Sequence, residues 1–461
     1  MRIAEEVRVE VSVGPSQDVG TAGHKPDRAA QARMVSEALA NPAPARSLCT
    51  DCGVSRMADP KRCGRACQFI APDYPALETK VHGRARVSNL ADAPSDEVFF
   101  GPIRDMYQAR LKHPLPGAQW TGITTFLAEK LLESGKVDAV LTMKPDPNDR
   151  WRPVPTLVTD PADMANCRGM RMGYAPLLAL LEPARALGYR RLAVIGIPCQ
   201  IYALRALETE LGFEKLYVIG TPCSDNTTTE RFHDFLALLS DQPQTISYLE
   251  FRADYQVELR FDDGSRRVIP FLQLPISKLP PDFFPLTCRT CVDYTNVLAD
   301  ITIGYMAGQG EQWVLVRNET GAELLSLLGN EINLTAPTSK GNRKSAVEGF
   351  KANVARAAGG LPLRSMPDWV RPLVSWLMPR IGPRGLEFAR ARVEMKAIET
   401  VLHLRREEPH RMKHMVPDHV WQLTTPYGLT SEPQEGKPNP QSNDMVRPLA
   451  GGEAECLPGA R

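Results

Sequence analysis

The sequence predicts an α/β protein: a parallel sheet with crossover helices, joined to an antiparallel β-hairpin region and an N-terminal cysteine-rich segment. Three observations predict it. Two buried-strand-like runs, "YRRLAVIG" (189–196) and "EKLYVIG" (214–220), flank the helical pattern "QIYALRALETELG" (200–212). A strand–helix–strand unit of about 30 residues marks a parallel pair with a crossover. The stretch "TISYLEFRADYQVELRFDDGSRRVIPF" (245–271) alternates and carries a "DG" turn signal, as antiparallel hairpins do. Four cysteines crowd into "CTDCGVSRMADPKRCGRAC" (49–67), a stretch too short for a domain of its own.

In chain order, residues 1–45 are rich in Ala, Pro, Gly and charge without apolar periodicity and read as a disordered leader. Residues 46–100 form the N-terminal cysteine segment, and 101–240 the main α/β domain. There "TGITTFLAEKLLESG" (121–135) has helical spacing and ends in Gly, and the strand "KVDAVLTM" (136–143) follows it. Residues 241–340 carry the hairpins, the "CRTC" pair and the strands "ADITIGYM" (299–306) and "QWVLVRN" (312–318). A helical extension spans 341–425; between 366 and 406 it is broken by Pro and Gly near 379–385. Its segment "WVRPLVSWLMPRIG" (369–382) reads as core packing in preference to contact with an apolar ligand or a membrane surface. Residues 426–461 read as a disordered tail, with Cys456 a bystander.

A chain of 461 residues can bury a sizeable core and hold two or three domains. Lys+Arg 55 against Asp+Glu 54 leaves a net charge of +1, and no local basic patch stands out, so no nucleic-acid partner is expected. The first residues have no apolar core behind a basic start, and no run of about 20 apolar residues exists. A cytoplasmic protein without a transmembrane segment is the expectation. In that reducing compartment ten cysteines point to metal or redox chemistry before disulfides.

The first cysteine set, Cys49, Cys52, Cys63 and Cys67, has the spacing C-x2-C-x10-C-x3-C. Zinc ribbons and cubane clusters both take four thiolates, and the spacing leaves the two open. The second set is dispersed: Cys199 and Cys223 each follow a parallel strand, and Cys288 and Cys291 form "CRTC". Strand ends of an open α/β sheet form the ligand crevice, so four-thiolate ligation is favoured over two buried small hydrophobes. Cys167 belongs to neither set and reads as a small core residue. Two four-cysteine sets in one chain suggest an electron path, because zinc has no redox chemistry. In "PLPGAQWTGITTFLAEKLL" (114–132), Gly117 and Gly122 surround a helix start that could seat a pyrophosphate on free amides. From the residues alone an ordinary helix capped by Thr121 is preferred. The cluster "TPCSDNTTTE" (221–230) either caps the helix after it or offers amides and Asn226 to a cofactor.

Taken together, "GAQWTGI", "VIGIPCQIYALRALE", "FEKLYVIGTPCSDN", "CRTCVDYTNVLADITIGYMA" and "WVLVRNETG" resemble the deazaflavin-coenzyme hydrogenase/dehydrogenase β-subunit family, from about residue 45 to about 405. "GAQWTGI", "LADITIGYM" and "IGPRGLEFAR" are similar to its ferredoxin-dependent chlorophyll branch. The resemblance implies one FAD, two 4Fe–4S clusters and reduced ferredoxin as donor. It implies reduction of the 8-vinyl group of divinyl (proto)chlorophyllide a to ethyl, in chlorophyll or bacteriochlorophyll biosynthesis. Two other readings stay beside it: the same cofactors acting on another chlorophyll-type or enoyl substrate such as 7-hydroxymethyl chlorophyll a, or a non-catalytic electron-transfer subunit. Partners expected are ferredoxin, a chlorophyllide-type substrate and further copies of the chain; peripheral contact with a membrane stays open beside them.

By motif matching, Cys199, Cys223, Cys288 and Cys291 fall on the family's flavin-proximal cluster set. Gly117, Ala118, Gln119, Trp120, Thr121 and Gly122, with Asp225 and Asn226, fall on segments expected near FAD. Cys49, Cys52 and Cys67 match the N-terminal set; Ser55 stands where a third cysteine is usual, and Cys63 is the substitute ligand. Tyr174, His82 and Asp225 lie in or near motif segments and are the candidate proton donors. After "GLEFAR" the branch's usual aromatic and His-containing motif is replaced by "ARVEMKAIETVLHLRR".

Overall fold

The computed structural model describes residues 49–87, 96–252, 254–304, 311–356, 366–432 and 435. The expected leader 1–45, most of the expected tail and Cys456 lie outside the described residues. Tyr427 and Leu429, inside the stretch read as tail from 426, are buried in the core.

An eight-stranded sheet organises the chain. Its strands are β1 (Asp105–Leu111), β2 (Ala139–Asp146), β3 (Asp149–Val158), β4 (Arg191–Gly196), β5 (Lys215–Gly220), β9 (Ile301–Gly304), β10 (Gln312–Val316) and β11 (Ile332–Thr335). The order is β11-β1-β10-β9-β5-β4-β2-β3. The pairs β2–β4, β4–β5 and β5–β9 are parallel. The four flanking pairs are antiparallel. The sheet is therefore mixed, with the expected parallel pair at its centre. Between them β6 (Ile246–Phe251), β7 (Gln256–Phe261) and β8 (Arg266–Pro270) form the separate antiparallel sheet that the hairpin pattern predicts.

Both faces of the central strands are covered, which is why they read as continuous apolar runs. Leu192 and Val194 of β4 and Val218 of β5 point to one face, where they meet Tyr202, Leu204 and Leu207. Those three belong to the crossover helix Pro198–Leu211. Ala193, Tyr217 and Ile219 alternate to the other face and meet Leu127 and Leu131 of the helix Ile123–Glu133. The cysteine segment joins the first layer: Val54, Met57, Cys63 and Ala66 are buried in the same cluster as Tyr202. Gly53 fixes its course at φ +105°, where a Cβ would lie 2.5 Å from the Ala179 nitrogen.

In chain order the helices used below are α1 (Tyr74–His82), α2 (Ile123–Glu133), α3 (Pro198–Leu211), α4 (Thr229–Leu239), α5 (Arg343–Arg356), α6 (Arg371–Ile381) and α7 (Leu386–Glu407). The break expected near 379–385 falls between α6 and α7, where Arg384–Gly385 (β13) pairs with Ser339–Lys340 (β12). The core-packing reading of 369–382 is overturned. Trp369 is 82% exposed, and Leu373, Trp376 and Ile381 are each more than half exposed. The face of α6 turned to the body instead carries Arg371 and Ser375, both buried.

Helix α7 packs Ile398, Val401 and Leu404 into a cluster with Phe100, Trp313 and Leu315. In the same layer Glu394 accepts a hydrogen bond from the Tyr427 hydroxyl at 2.9 Å and pairs with Arg343 at 3.1 Å. Burial nevertheless pushes its carboxyl up from 4.5 to about 7. A folded pKa above the unfolded one means that the native state holds the proton more tightly. Its contribution to stability is complete below pH 4.5 and is lost as pH rises through about 7. Glu394→Gln is thus expected to match the native chain in acid and to exceed it by about 3 kcal/mol at mildly alkaline pH. Urea unfolding across that range measures the difference; parallel pH profiles would refute it.

Candidate functional site

The carboxyl ends of β4 and β5 stop at Gly196 and Gly220; Cys199 lies in the first turn of α3 and Cys223 in the loop after β5. Asn296, held at φ +57° and fully buried, donates from its amide to the Gly196 carbonyl at 2.8 Å and to the Thr221 carbonyl at 3.2 Å. The backbone N–H of Cys223 donates to the Tyr294 carbonyl at 3.1 Å. These bonds fasten the segment after "CRTC" across both strand ends. Gly220 permits the approach, since a Cβ there would lie 2.7 Å from Asn296 Cγ.

The result is that Cys199, Cys223, Cys288 and Cys291 lie close enough to act on one another electrostatically. All four have raised pKa values, with desolvation the largest cause; Cys291 reaches about 11 and Cys288 about 12. Each still keeps some accessible surface. N–H donors are in place: Gln68 Nε2 donates to Cys291 Sγ at 3.4 Å, and the Asn226 amide donates to Cys288.

The N-terminal set abuts this one. The Thr50 hydroxyl lies 3.8 Å from Cys199 Sγ, and Cys52 acts on Cys199. Cys52 is in turn influenced by Cys67 and Cys49, while a Val54 backbone donor opposes the effect of its burial. Cys63 begins the short helix Cys63–Ala66; it is buried, and its carbonyl accepts from the Cys67 N–H at 3.1 Å. Ser55 lies in the turn Val54–Arg56, three residues past Cys52. Among the described residues no three His, Cys, Asp or Glu side chains converge as a single-ion site. A cubane spreads its thiolates over separate irons and so takes a wider frame than one zinc, whose sulfurs sit at about 2.3 Å. N–H donors on Cys49, Cys52, Cys288 and Cys291 are the chemistry such a cluster takes, while Cys63 lies in the apolar core beside its set. Cys167 is partly buried against the sheet's other face, as a small core residue.

The three candidate proton donors part company. Tyr174 stands beside the cysteines and is influenced by Cys288, Cys199 and Cys49; burial raises its phenol well above the usual value. Its loop is held by Asn226 Nδ2, which donates to the Gly173 carbonyl at 3.0 Å. Asp225 is bound by Lys396 at 2.7 Å. His82 lies at the opposite edge of the sheet, in a polar cavity of about 770 Å³ shared with Lys215, Asp300 and Arg317. Its Nε2 is 2.8 Å from the Val297 carbonyl, and burial pushes it down to about 3. It is a neutral structural histidine, remote from the thiols.

The helix-start reading needs correction. Gly122, at φ +87°, is the N-cap of α2. Thr121 is buried, donating to Gln312 Oε1 at 2.9 Å and accepting from the Leu111 N–H at 3.3 Å. The amides offered for a pyrophosphate are taken: Trp120 N–H by Glu250 at 3.1 Å and Ile123 N–H by Gln312 at 3.1 Å. A carboxylate on that loop repels phosphate, so free amides at this helix start do not fit the group. Thr228 caps α4, as the plain reading of 221–230 has it.

A cation that the sequence did not single out fits better. The Arg171 guanidinium donates to the carbonyls of Cys167 and Gly169 at 3.1 and 3.4 Å, yet its buried Nε lacks an acceptor. Among the described residues no carboxylate pairs with it. Lys144 joins it beside Cys167, and a Cβ on Gly169 would lie 3.6 Å from the Gly117 carbonyl. Arg171→Gln is expected to lower flavin per chain at least about threefold while leaving iron unchanged, the loss of roughly one charge-assisted contact. Absorbance and iron assay on the purified variant test it; unaltered flavin would clear Arg171 of the role.

Helix α7 supplies the remaining wall. Arg392, Lys396, Glu399 and His403 share one face by their spacing. Lys396 Nζ binds Asp225 at 2.7 Å and Glu399 at 2.9 Å, Thr400 Oγ1 donates to the Cys291 carbonyl at 3.3 Å, and Arg289 of "CRTC" pairs with Glu407 at 2.7 Å.

Comparison with known proteins shows the family. Two family models of the coenzyme F420 hydrogenase/dehydrogenase beta subunit match, the N-terminal one over residues 106–182 and the C-terminal one over residues 189–340. An uncharacterized protein of Nostoc sp. is 37% identical over 84% of this chain and 95% of its own. The chain belongs to the coenzyme F420 hydrogenase/dehydrogenase β-subunit family. Within that family it lies on the branch of the 7-hydroxymethyl chlorophyll a reductase of Oryza sativa, which is 35% identical over 83% of both chains. A more distant relative is the coenzyme F420-dependent sulfite reductase of Methanocaldococcus jannaschii, 24% identical over 51% of this chain and 38% of that one. The N-terminal family model covers α2 and the Gly117–Gly122 loop; the C-terminal one takes in Cys199, Cys223, Cys288 and Cys291. The N-terminal cysteine set and α7 fall outside both.

Proposed function

We propose that the chain is an iron–sulfur flavoprotein that reduces a chlorophyll-type macrocycle, with divinyl (proto)chlorophyllide a as substrate and reduced ferredoxin as electron donor. The observation that carries the reading is the convergence of four thiols from three segments at the ligand edge of the sheet, with a second cysteine set against them. The reaction takes R–CH=CH2, two electrons and two protons to R–CH2–CH3. When bound, the clusters would carry electrons singly and the flavin would deliver them as a pair.

The chain's own residues have defined work in this scheme. Cys199, Cys223, Cys288 and Cys291 would hold an inner cluster, and Cys49, Cys52, Cys63 and Cys67 an outer one. Arg171 and Lys144 would offer positive charge to the flavin phosphates, and the Gly117–Gly122 loop with Asn226 would wall the same site. Tyr174 holds a proton on its phenol oxygen at neutral pH, where a phenol is un-ionised, and would give it to the substrate's vinyl group. Tyr174→Phe is accordingly expected to cut turnover by about 10²-fold or more with iron and flavin unchanged. Equal turnover would remove the phenol from the scheme.

A second substrate has a specific observation in its favour, the rice relative's name. Conversion of R–CH2OH to R–CH3 and water also takes two electrons and two protons, so the same cofactors serve it. Protein purified without oxygen should hold about eight iron, about eight sulfide and one flavin. With ferredoxin and a reductant it should shift the Soret band of divinyl chlorophyllide to the blue. Turnover of 7-hydroxymethyl chlorophyll a instead would reassign the substrate, and a fully loaded protein inert toward both pigments would leave an electron-transfer subunit.

A further inference from the structure

Helix α6 is inside out. A surface helix ordinarily buries its apolar stripe, but α6 turns Arg371 and Ser375 inward, at 5% and 7% exposure. Arg371 is satisfied there by the Met366 carbonyl at 3.2 Å and the Leu274 carbonyl at 3.5 Å. Leu373, Trp376 and Arg380 lie at i, i+3 and i+7, one stripe on the opposite side, and Trp369 stands in the turn just before the helix. Their exposures are 82% for Trp369, 59% for Leu373 and 57% for Trp376, and Ile381 ends the helix at 59%. Every described large apolar side chain that is more than half exposed lies in this helix or in the turn that leads into it.

At the C-terminal end of the helix the exposed charges have one sign. Arg380 lies over the Trp376 ring at 4.2 Å. The β12–β13 ribbon sets Lys340 opposite Arg384 beside Ile381, and Lys340, Lys344, Arg380 and Arg384 are all exposed. The acid at the other end, Asp368, is exposed and pairs with the inward Arg371 at 3.4 Å, which offsets its charge. Tryptophan with leucine or isoleucine, edged by arginine and lysine, is the composition of helices that lie in the headgroup layer of a bilayer.

We propose that α6 docks the protein onto an anionic membrane surface. Trp369, Leu373, Trp376 and Ile381 enter the boundary between headgroups and acyl chains, while Lys340, Arg380 and Arg384 reach lipid phosphates. A two-fold contact with a second copy of this face would bring like cations together, which the lipid surface avoids. No helix among the described residues is long and apolar enough to cross a membrane, so the contact is peripheral. The inference rests on these exposed side chains and stands whether or not the substrate assignment does.

Flotation of the full chain with phosphatidylcholine vesicles, with and without phosphatidylglycerol, tests it. The native chain should float with the anionic vesicles, shift its tryptophan emission to the blue, and release as salt rises. The double variant W369S/W376S should bind about tenfold more weakly. The triple variant K340Q/R380Q/R384Q should lose its preference for the anionic lipid. All five substituted side chains are exposed, so unchanged thermal unfolding of both variants is the folding control. A native chain that floats with neither vesicle overturns the proposal, as does a W369S/W376S variant that binds like the native chain. Self-association in sedimentation velocity that W369S/W376S abolishes, without vesicle binding, would assign the face to a second copy and overturn it equally.

Discussion

Cys288→Ser is expected to yield a folded protein with about half the native iron and no measurable pigment reduction. Cys288 sits on a four-residue helix whose position is set from outside by Arg289–Glu407 and by Asn296 across the strand ends. A serine hydroxyl fits that place but is no thiolate donor, so the fold should survive and the inner cluster should not. The outer set does not use Cys288 and should retain its share. Iron and sulfide assay together with low-temperature EPR reads both halves, and Cys167→Ser, on the sheet's other face, should match the native chain in every respect. Full iron in Cys288→Ser would mean that the dispersed cysteines are not a ligand set. Cys63→Ser is the companion measurement: loss of the other half would establish that Cys63 stands in at the place where Ser55 leaves the family spacing.

Much of this arrangement was legible because it is local. The β4–α3–β5 unit shows as two apolar runs around a helical repeat, since both faces of those strands are buried, and the matching positions of Cys199 and Cys223 follow from it directly. The hairpins of β6 to β8 announce themselves by alternation. What escaped is what depends on partners distant in the chain. Thr121 has the look of a cap, but Gln312, 191 residues on, draws its hydroxyl away from that duty. Trp120 has an amide at a helix start, but Glu250 arrives from another sheet to take it. Arg171 looks like any loop arginine until burial leaves its Nε without an acceptor. Leu373 and Trp376 obey a helical repeat, and a repeat gives the stripe without saying which way it faces; the buried pairing of Arg371 decides that. His82 sits in a motif segment, and only the path of α1 shows that it reaches the wrong edge of the sheet.

Lys396→Met should be the most damaging single change outside the cysteines. Its ammonium is buried between Asp225 and Glu399, at 2.7 and 2.9 Å, and both carboxylates keep it charged against the effect of burial. Removing one partner of a buried ionic group strands the others, a loss of about 3–5 kcal/mol, and here two acids are stranded at once. The site has a second stake in this cation, because it acts on Cys223, Cys288 and Cys291. A positive charge beside an anionic cluster favours its reduced form, so protein that does fold should show the inner cluster at a more negative midpoint potential. Lys396→Arg keeps the charge and is expected to restore most of that potential even where packing suffers. An EPR-monitored redox titration of the three proteins separates the effects. Equal potentials with lowered stability would make Lys396 a clamp on α7 alone, whereas a negative shift rescued by arginine would establish that α7, which lies outside the matched family models, sets the inner cluster's potential.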